Sequence, residues 1–215
     1  MLPEVTDFCR LVVCRHPELA PEAQGRVIGA GPAALGRRGQ DTVLSWLRAL
    51  ASLRVDAVFS AEVPQCKDPA SAIAASKGLE VATDERLLDQ DMGAWQGRTW
   101  EEVAREDGER VREFFEELGE RTPPGGESLG EAVERVLSWW GSVAPVLVGR
   151  TALLVAPGGL IAGYGAAMLG MRLSRSMSLG LPYGGIGILD VFANGARLSA
   201  WNLLALEGAA PSRAT

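Results

Sequence analysis

Two runs, Leu11-Val12-Val13-Cys14 and Thr151-Ala152-Leu153-Leu154-Val155-Ala156, are apolar without the alternation that a half-wet strand shows. Short runs of this kind read as strands covered on both faces, the condition of a parallel sheet between layers of helix. Residues 55–60 (Val-Asp-Ala-Val-Phe-Ser) read as a further strand. Between the strands the apolar period changes. Val43, Leu44, Leu47, Leu50 and Leu53 recur at helical spacing within 36–53, and short helices are expected over 69–77 and 159–169. Charged residues surround Val111, Phe114, Phe115 and Leu118, which predicts an exposed amphipathic helix, whereas 83–98 lacks a period and reads as a loop holding Trp95. Ser128 with Glu131 three residues on is a capping-box signature for a helix running to about Leu147. Residues 186–192 and 198–204, parted by Asn194-Gly195, read as a closing hairpin. Strands alternating with helices predict a three-layer α/β/α sandwich with a mostly parallel central sheet. No linker or repeat interrupts 1–215, so one domain is expected, with 207–215 a loose tail.

Composition narrows the partners. A formal charge of -6 argues against nucleic acid, which asks for a basic face, yet it permits a small anion held by a few local cations. No apolar run reaches membrane-spanning length; 151–170 comes nearest and is split by Pro157, Gly158 and Gly159, so no membrane partner is expected. Three cysteines, an odd number, follow a polar N-terminus without signal-peptide character, and the expectation is a reducing cytoplasm. One histidine, no paired cysteines and scattered carboxylates give no metal-ligand cluster; neither a dinucleotide fingerprint nor a phosphate loop is present, so no cofactor is expected. The apolar hairpin and the paired Trp139-Trp140, of which one ring is expected outside the core, make a homodimer an expectation.

Chemistry concentrates at Arg15-His16, directly after the first apolar run, where an open α/β sheet places its ligands. A fixed guanidinium can hold a phosphate, and a neutral imidazole nitrogen can attack phosphorus. Gly126-Glu127-Ser128-Leu129-Gly130 matches a nucleophile-elbow pattern, but a Pro/Gly turn precedes Ser128 where a strand is required, and no histidine follows; the helix cap is the better reading.

Arg15-His16-Pro17-Glu18, Arg26-x-x-Gly29, Leu87-x-Asp89-x-x-Met-Gly-x-Trp95-Gln-Gly97, Pro124-x-Gly-Glu-Ser128 and Val155-Ala-Pro-Gly158-Gly159 stand in an order and at spacings that resemble the histidine phosphatase superfamily, of the phosphoglycerate-mutase type. The resemblance implies His16 as nucleophile or base, Arg15 as anion clamp and Asp89 as proton donor. Substrate contacts are implied at Arg26, Gln65, Glu22 and Gly158. It also implies departures. Gln65 stands at the position of the family's second arginine, five residues after Ser60, and Pro157 at that of its second histidine. Asp89 replaces a glutamate, Glu22 an asparagine, and Pro17 a glycine. Three readings stay open: a diverged enzyme acting on a small anionic, phosphorylated metabolite, an inactive relative that binds a ligand or partner, and a pocket repurposed for other chemistry.

Overall fold

In the computed structural model, which describes residues 8–203, the two unalternated runs lie side by side at the centre of one sheet. The strands are β1 (Cys9–Arg15), β2 (Ala57–Ser60), β3 (Val81–Thr83), β4 (Thr151–Ala156), β5 (Ile186–Phe192) and β6 (Gly195–Leu203), in the order β3-β2-β4-β1-β5-β6. β3, β2, β4 and β1 are mutually parallel, and β5 and β6 close the sheet as an antiparallel hairpin. Five α-helices cover it: α1 (Arg37–Ala49), α2 (Pro64–Ser76), α3 (Trp100–Glu116), α4 (Leu129–Val143) and α5 (Gly158–Met168). The expected three-layer sandwich with a mostly parallel sheet is the observed fold. Leu11 to Cys14 and Ala152 to Ala156 are buried throughout, which is why neither run alternates.

Several boundaries differ from expectation, each for a local reason. The helix expected over 69–77 begins at Pro64, in the first turn, where a missing N–H has no intrahelical partner to lose. Pro69 within it forgoes only a bond to the Gln65 carbonyl near the helix start. The helix expected to reach Leu147 ends at Val143, because Pro145 cannot donate to Gly141; a 3-10 turn, Ala144–Val146, follows. The expected loop 83–98 includes two 3-10 turns and is preceded by β3, an edge strand of three residues. Trp139 and Trp140 are both buried, the first against Phe59 and the second against Tyr164, so the pair presents no exposed ring. The proposed tail 207–215 lies outside the described residues. Among those described, no helix is long and apolar enough to cross a membrane.

The closing hairpin is tied to the centre of the sheet by one buried carboxylate. Asp190 on β5 accepts from Arg10 Nε on β1 at 2.8 Å and from Arg197 Nη2 on β6 at 2.7 Å, with Ser199 Oγ as a further donor. Burial alone would push the Asp190 carboxyl up, but the bonds from Arg10, Arg197 and Ser199 outweigh it and hold the group well below the usual carboxylate range. A depressed native pKa means that the contribution is present above the unfolded value of about 3.9 and is lost as pH falls through the native one. Asp190→Ala should lower stability at pH 7 by about 1–3 kcal/mol, less than a fully buried pair because both arginines are partly solvated. Urea unfolding should show the gap between wild type and variant narrowing below about pH 4.

Candidate active site

Sheet register builds the site. Arg15 ends β1 opposite Ala156, the last residue of β4, and the His16 backbone N–H donates to the Ala156 carbonyl at 3.1 Å. Both chains then leave the sheet at its carboxyl edge, so Arg15 and His16 meet Gly158 and Gly159 at the start of α5. A cleft of about 300 Å³ opens there, lined by Arg15, His16, Arg26, Asp89, Gly158 and Gly159 together with a group of apolar side chains.

His16 is buried, and its Nδ1 lies 2.9 Å from the Pro17 carbonyl oxygen. A carbonyl only accepts, so Nδ1 carries the proton and Nε2 keeps a free lone pair. Burial, reinforced by the neighbouring Arg15 charge, lowers the His16 pKa to about 4 despite the Pro17 bond. The imidazole is therefore neutral and nucleophilic at ordinary pH.

Arg15 is fixed from two sides. Its Nη1 donates to the Leu181 carbonyl at 2.6 Å, and its guanidinium carbon lies 4.0 Å from the centroid of the Tyr183 ring. Its Nε is buried against Gly158 and has no partner among the described residues. Gly158 makes this placement possible, since a Cβ there would come within 2.7 Å of Arg15 Nε and 2.8 Å of its Cδ. The first N–H groups of α5, including those of Gly158 and Gly159, have no intrahelical acceptor and add partial positive charge.

Asp89 completes the group. A Cβ on Gly159 would lie 3.3 Å from Asp89 Oδ1, so the carboxyl packs against the first turn of α5. Burial raises its pKa to about 6, against the lowering effects of the Gln90 N–H, Arg15 and Arg135. The segment bearing Asp89 is held from below: Arg135 on α4 donates to the carbonyls of Arg86, Leu88 and Asp89, and Gln90 Nε2 donates to the Glu127 carbonyl. Gly93 and Gly126 pack backbone to backbone, where side chains at either would overlap the facing strand of chain. Trp95 lies in a small second core with Val27, Met92 and Phe114, beneath the site and out of reach of a ligand.

The structure brings Arg15, His16, Asp89, Arg26 and Gly158 to one cleft and leaves Gln65 and Glu22 off its wall. Gln65 is buried and turned toward the 31–33 loop: Oε1 accepts from the Ala33 N–H and Nε2 donates to the Gly31 carbonyl, both at 2.9 Å. Its amide is a loop anchor. Glu22 is exposed on the 3-10 turn Pro21–Ala23, and only its backbone carbonyl is engaged, by Arg26 Nε. Arg26 stands at the rim, its Nη1 on the Gly97 carbonyl. Pro157 is the N-cap of α5 and supplies no side-chain donor. Sequence reasoning missed Tyr183 and the aromatic wall from α3. The Tyr183 loop is clamped to the end of β1 by paired backbone bonds (Arg15 N–H to the Gly185 carbonyl, Gly184 N–H to the Arg15 carbonyl), a contact that no local signal announces. Among the described residues no cluster of three or more His, Cys, Asp or Glu side chains is arranged to hold a metal.

Fold and site together define a class: a three-layer sandwich with a histidine, a fixed arginine and a carboxyl of raised pKa in one cleft at the carboxyl ends of adjacent parallel strands. Residues 11–204 match the histidine phosphatase superfamily (branch 1), and the chain belongs to that family. It is 29% identical over 171 residues to phosphoserine phosphatase 1 of Hydrogenobacter thermophilus, covering 80% of this chain and 81% of that one. To a glucosyl-3-phosphoglycerate phosphatase of Mycolicibacterium vanbaalenii it is 30% identical over 182 residues, covering 80% and 79%. A bifunctional protein of Mycobacterium tuberculosis is 32% identical over 147 residues, 68% of this chain; the match spans only 40% of that longer protein. Among solved structures, the alpha-ribazole phosphatase of Shigella flexneri shares the fold at a TM-score of 0.82 and 21% identity, over 92% of this chain and 99% of that one. A mycobacterial glucosyl-3-phosphoglycerate phosphatase aligns at 0.80 and 26% identity, over 91% and 99%.

Two substitutions separate anchor from site. Gln65→Ala leaves the Ala33 N–H and Gly31 carbonyl unpaired and should cost about 1–3 kcal/mol of stability in a denaturant titration. Gly158→Ala should weaken inorganic phosphate or vanadate binding about tenfold or more, measured calorimetrically, because its Cβ would displace Arg15. Unchanged phosphate affinity in the Gly158 variant would contradict the assignment of Arg15 as the clamp.

Proposed function

We propose that this chain hydrolyses the phosphate monoester of a small metabolite, with His16 as nucleophile, Arg15 as anion clamp and Asp89 as general acid. The observation that carries the proposal is the meeting of His16, Arg15 and Asp89 in one cleft, with His16 Nδ1 tied to the Pro17 carbonyl and Nε2 left free. His16 is neutral above about pH 4 with Nε2 unprotonated, and Asp89 retains its proton to about pH 6. In the first step Nε2 attacks phosphorus, the ester P–O bond breaks, and the Asp89 proton passes to the leaving oxygen. Asp89, now ionised, then takes a proton from the water that attacks the phosphohistidine; phosphate departs and both residues return to their starting states. The Arg15 guanidinium and the first N–H groups of α5 would supply donors for charge on the transferring oxygens. That two relatives are named as phosphatases of small phosphorylated molecules agrees with this chemistry. Three buried free cysteines suit work in a reducing cytoplasm.

The catalytic set is sparse. Pro157 and Gln65 bring no charge to the cleft, and each missing donor typically costs about 10²–10³ in rate. That shortage favours a second reading, an anion-binding protein with no turnover. Pro157→His discriminates. The position is extended (φ -63, ψ 150), and proline has no N–H to lose, so histidine fits the backbone, next to Gly158 on the cleft. A hydrolase lacking one donor should gain about 10²-fold in kcat; a cleft built only to bind should gain no turnover.

Phosphohistidine trapping tests the nucleophile: an acid-labile phosphoenzyme should form with a phosphomonoester and vanish in His16→Ala. The pH dependence of kcat/KM should be bell-shaped, falling below about pH 4 as His16 takes a proton and above about pH 6 as Asp89 loses one. Asp89→Asn should remove the upper limb and lower kcat by about 10²–10⁴. A plateau extending beyond pH 8 in the wild type would rule out Asp89 as the acid.

A further inference from the structure

Beside Arg15, His16 and Asp89, the cleft is lined by the large side chains of Leu19, Trp100, Phe114, Phe115, Met177 and Tyr183. Three of these are large side chains left at the surface: Phe115 is 52% exposed, Met177 61% and Tyr183 40%. They stand on α3, on the 3-10 turn Leu173–Leu179 and on the 182–185 loop, so no single amphipathic element accounts for them. Scattered exposed rings need no explanation, but rings gathered from separate elements around one cleft mark a binding surface.

Part of the polar lining is engaged within the protein. The Gln90 amide donates to the Glu127 carbonyl, and Arg26 donates to the carbonyls of Glu22 and Gly97. A polyhydroxylated leaving group would leave unpaired those donors and acceptors that face the apolar side chains, which opposes binding. The Tyr183 ring lies against the anion-binding residues, 4.0 Å from the Arg15 guanidinium carbon and 5.3 Å from the His16 ring centroid. An apolar group can therefore begin directly beside the phosphate. At about 300 Å³ the cleft is at the small end of ligand sites, enough for a phosphate and a compact ring system.

We infer that the substrate's leaving group is an apolar, ring-bearing alcohol, and that the chain selects phosphate monoesters of aromatic or alicyclic alcohols over those of polyhydroxy alcohols. This rests on the phosphomonoester reading above and assigns its specificity to the wall formed by Phe115, Met177 and Tyr183.

The test compares 2-naphthylmethyl phosphate with glycerol 1-phosphate. Both release a primary alcohol, so leaving-group acidity does not imitate specificity. The expected kcat/KM ratio is about tenfold or more in favour of the naphthyl ester, the scale on which apolar pockets discriminate. Phe115→Ser and Met177→Ser, at exposed positions that the fold tolerates, should each move the ratio toward one. A ratio at or below one in the wild type, or a ratio that neither variant changes, overturns the inference and leaves the hydrolase reading standing. Binding is measured in parallel, as quenching of tryptophan fluorescence by 2-naphthylmethylphosphonate and by methylphosphonate. No turnover of either ester, with about tenfold tighter binding of the naphthyl compound, sinks the hydrolase and keeps the apolar wall. No turnover with equal binding of the two phosphonates overturns both.

Discussion

The site depends on one register. With Arg15 opposite Ala156, the chain leaving β1 and the chain leaving β4 turn at the same level, and the His16 N–H closes on the Ala156 carbonyl. A slip of one residue would turn each side chain to the other face of the sheet and carry Arg15 away from Gly158. Both strands are buried on both faces, and on the far side the Asp190 network binds β5 and β6 to β1. The apolar runs that make the core thus also set the positions of the charged residues at its edge.

Around that edge the protein assembles its chemistry from few charges. The Arg15 guanidinium with Arg26 at the rim, the start of one helix and two groups with displaced pKa values occupy a site where the resemblance implies two arginines and two histidines. Desolvation does much of the remaining work: the same burial lowers the His16 pKa and raises the Asp89 pKa, moving both toward the neutral forms that attack and proton donation require. The absent side chains have been put to structural use. Gln65 anchors the 31–33 loop, and Pro157 fixes the extended residue from which α5 starts.

Much of this was legible in the sequence where a signal is local. Thr151–Ala156 is a strand with the bounds its composition gives, and Ser128 caps α4 with Glu131 as the spacing requires. The equivalent box formed by Thr99 and Glu102 caps the start of α3 and carries the same local signature. Val81–Thr83 is too short to show a period, and its identity as a strand comes from pairing with β2. At the site, Arg15, His16 and Asp89 follow from motif order. The inward turn of Gln65 and the stacking of Tyr183 on Arg15 depend on chain segments far apart in sequence, so nothing short-range encodes them.

His16 is the only histidine, so its ring can be followed without assignment. Nitrogen-15 NMR of the side chain against pH tests the central claim directly. Above about pH 5 the account predicts a neutral ring with the proton on Nδ1 and an unprotonated Nε2, titrating near pH 4. A ring titrating at the ordinary value of about 6.5, or a neutral form protonated on Nε2, would contradict it.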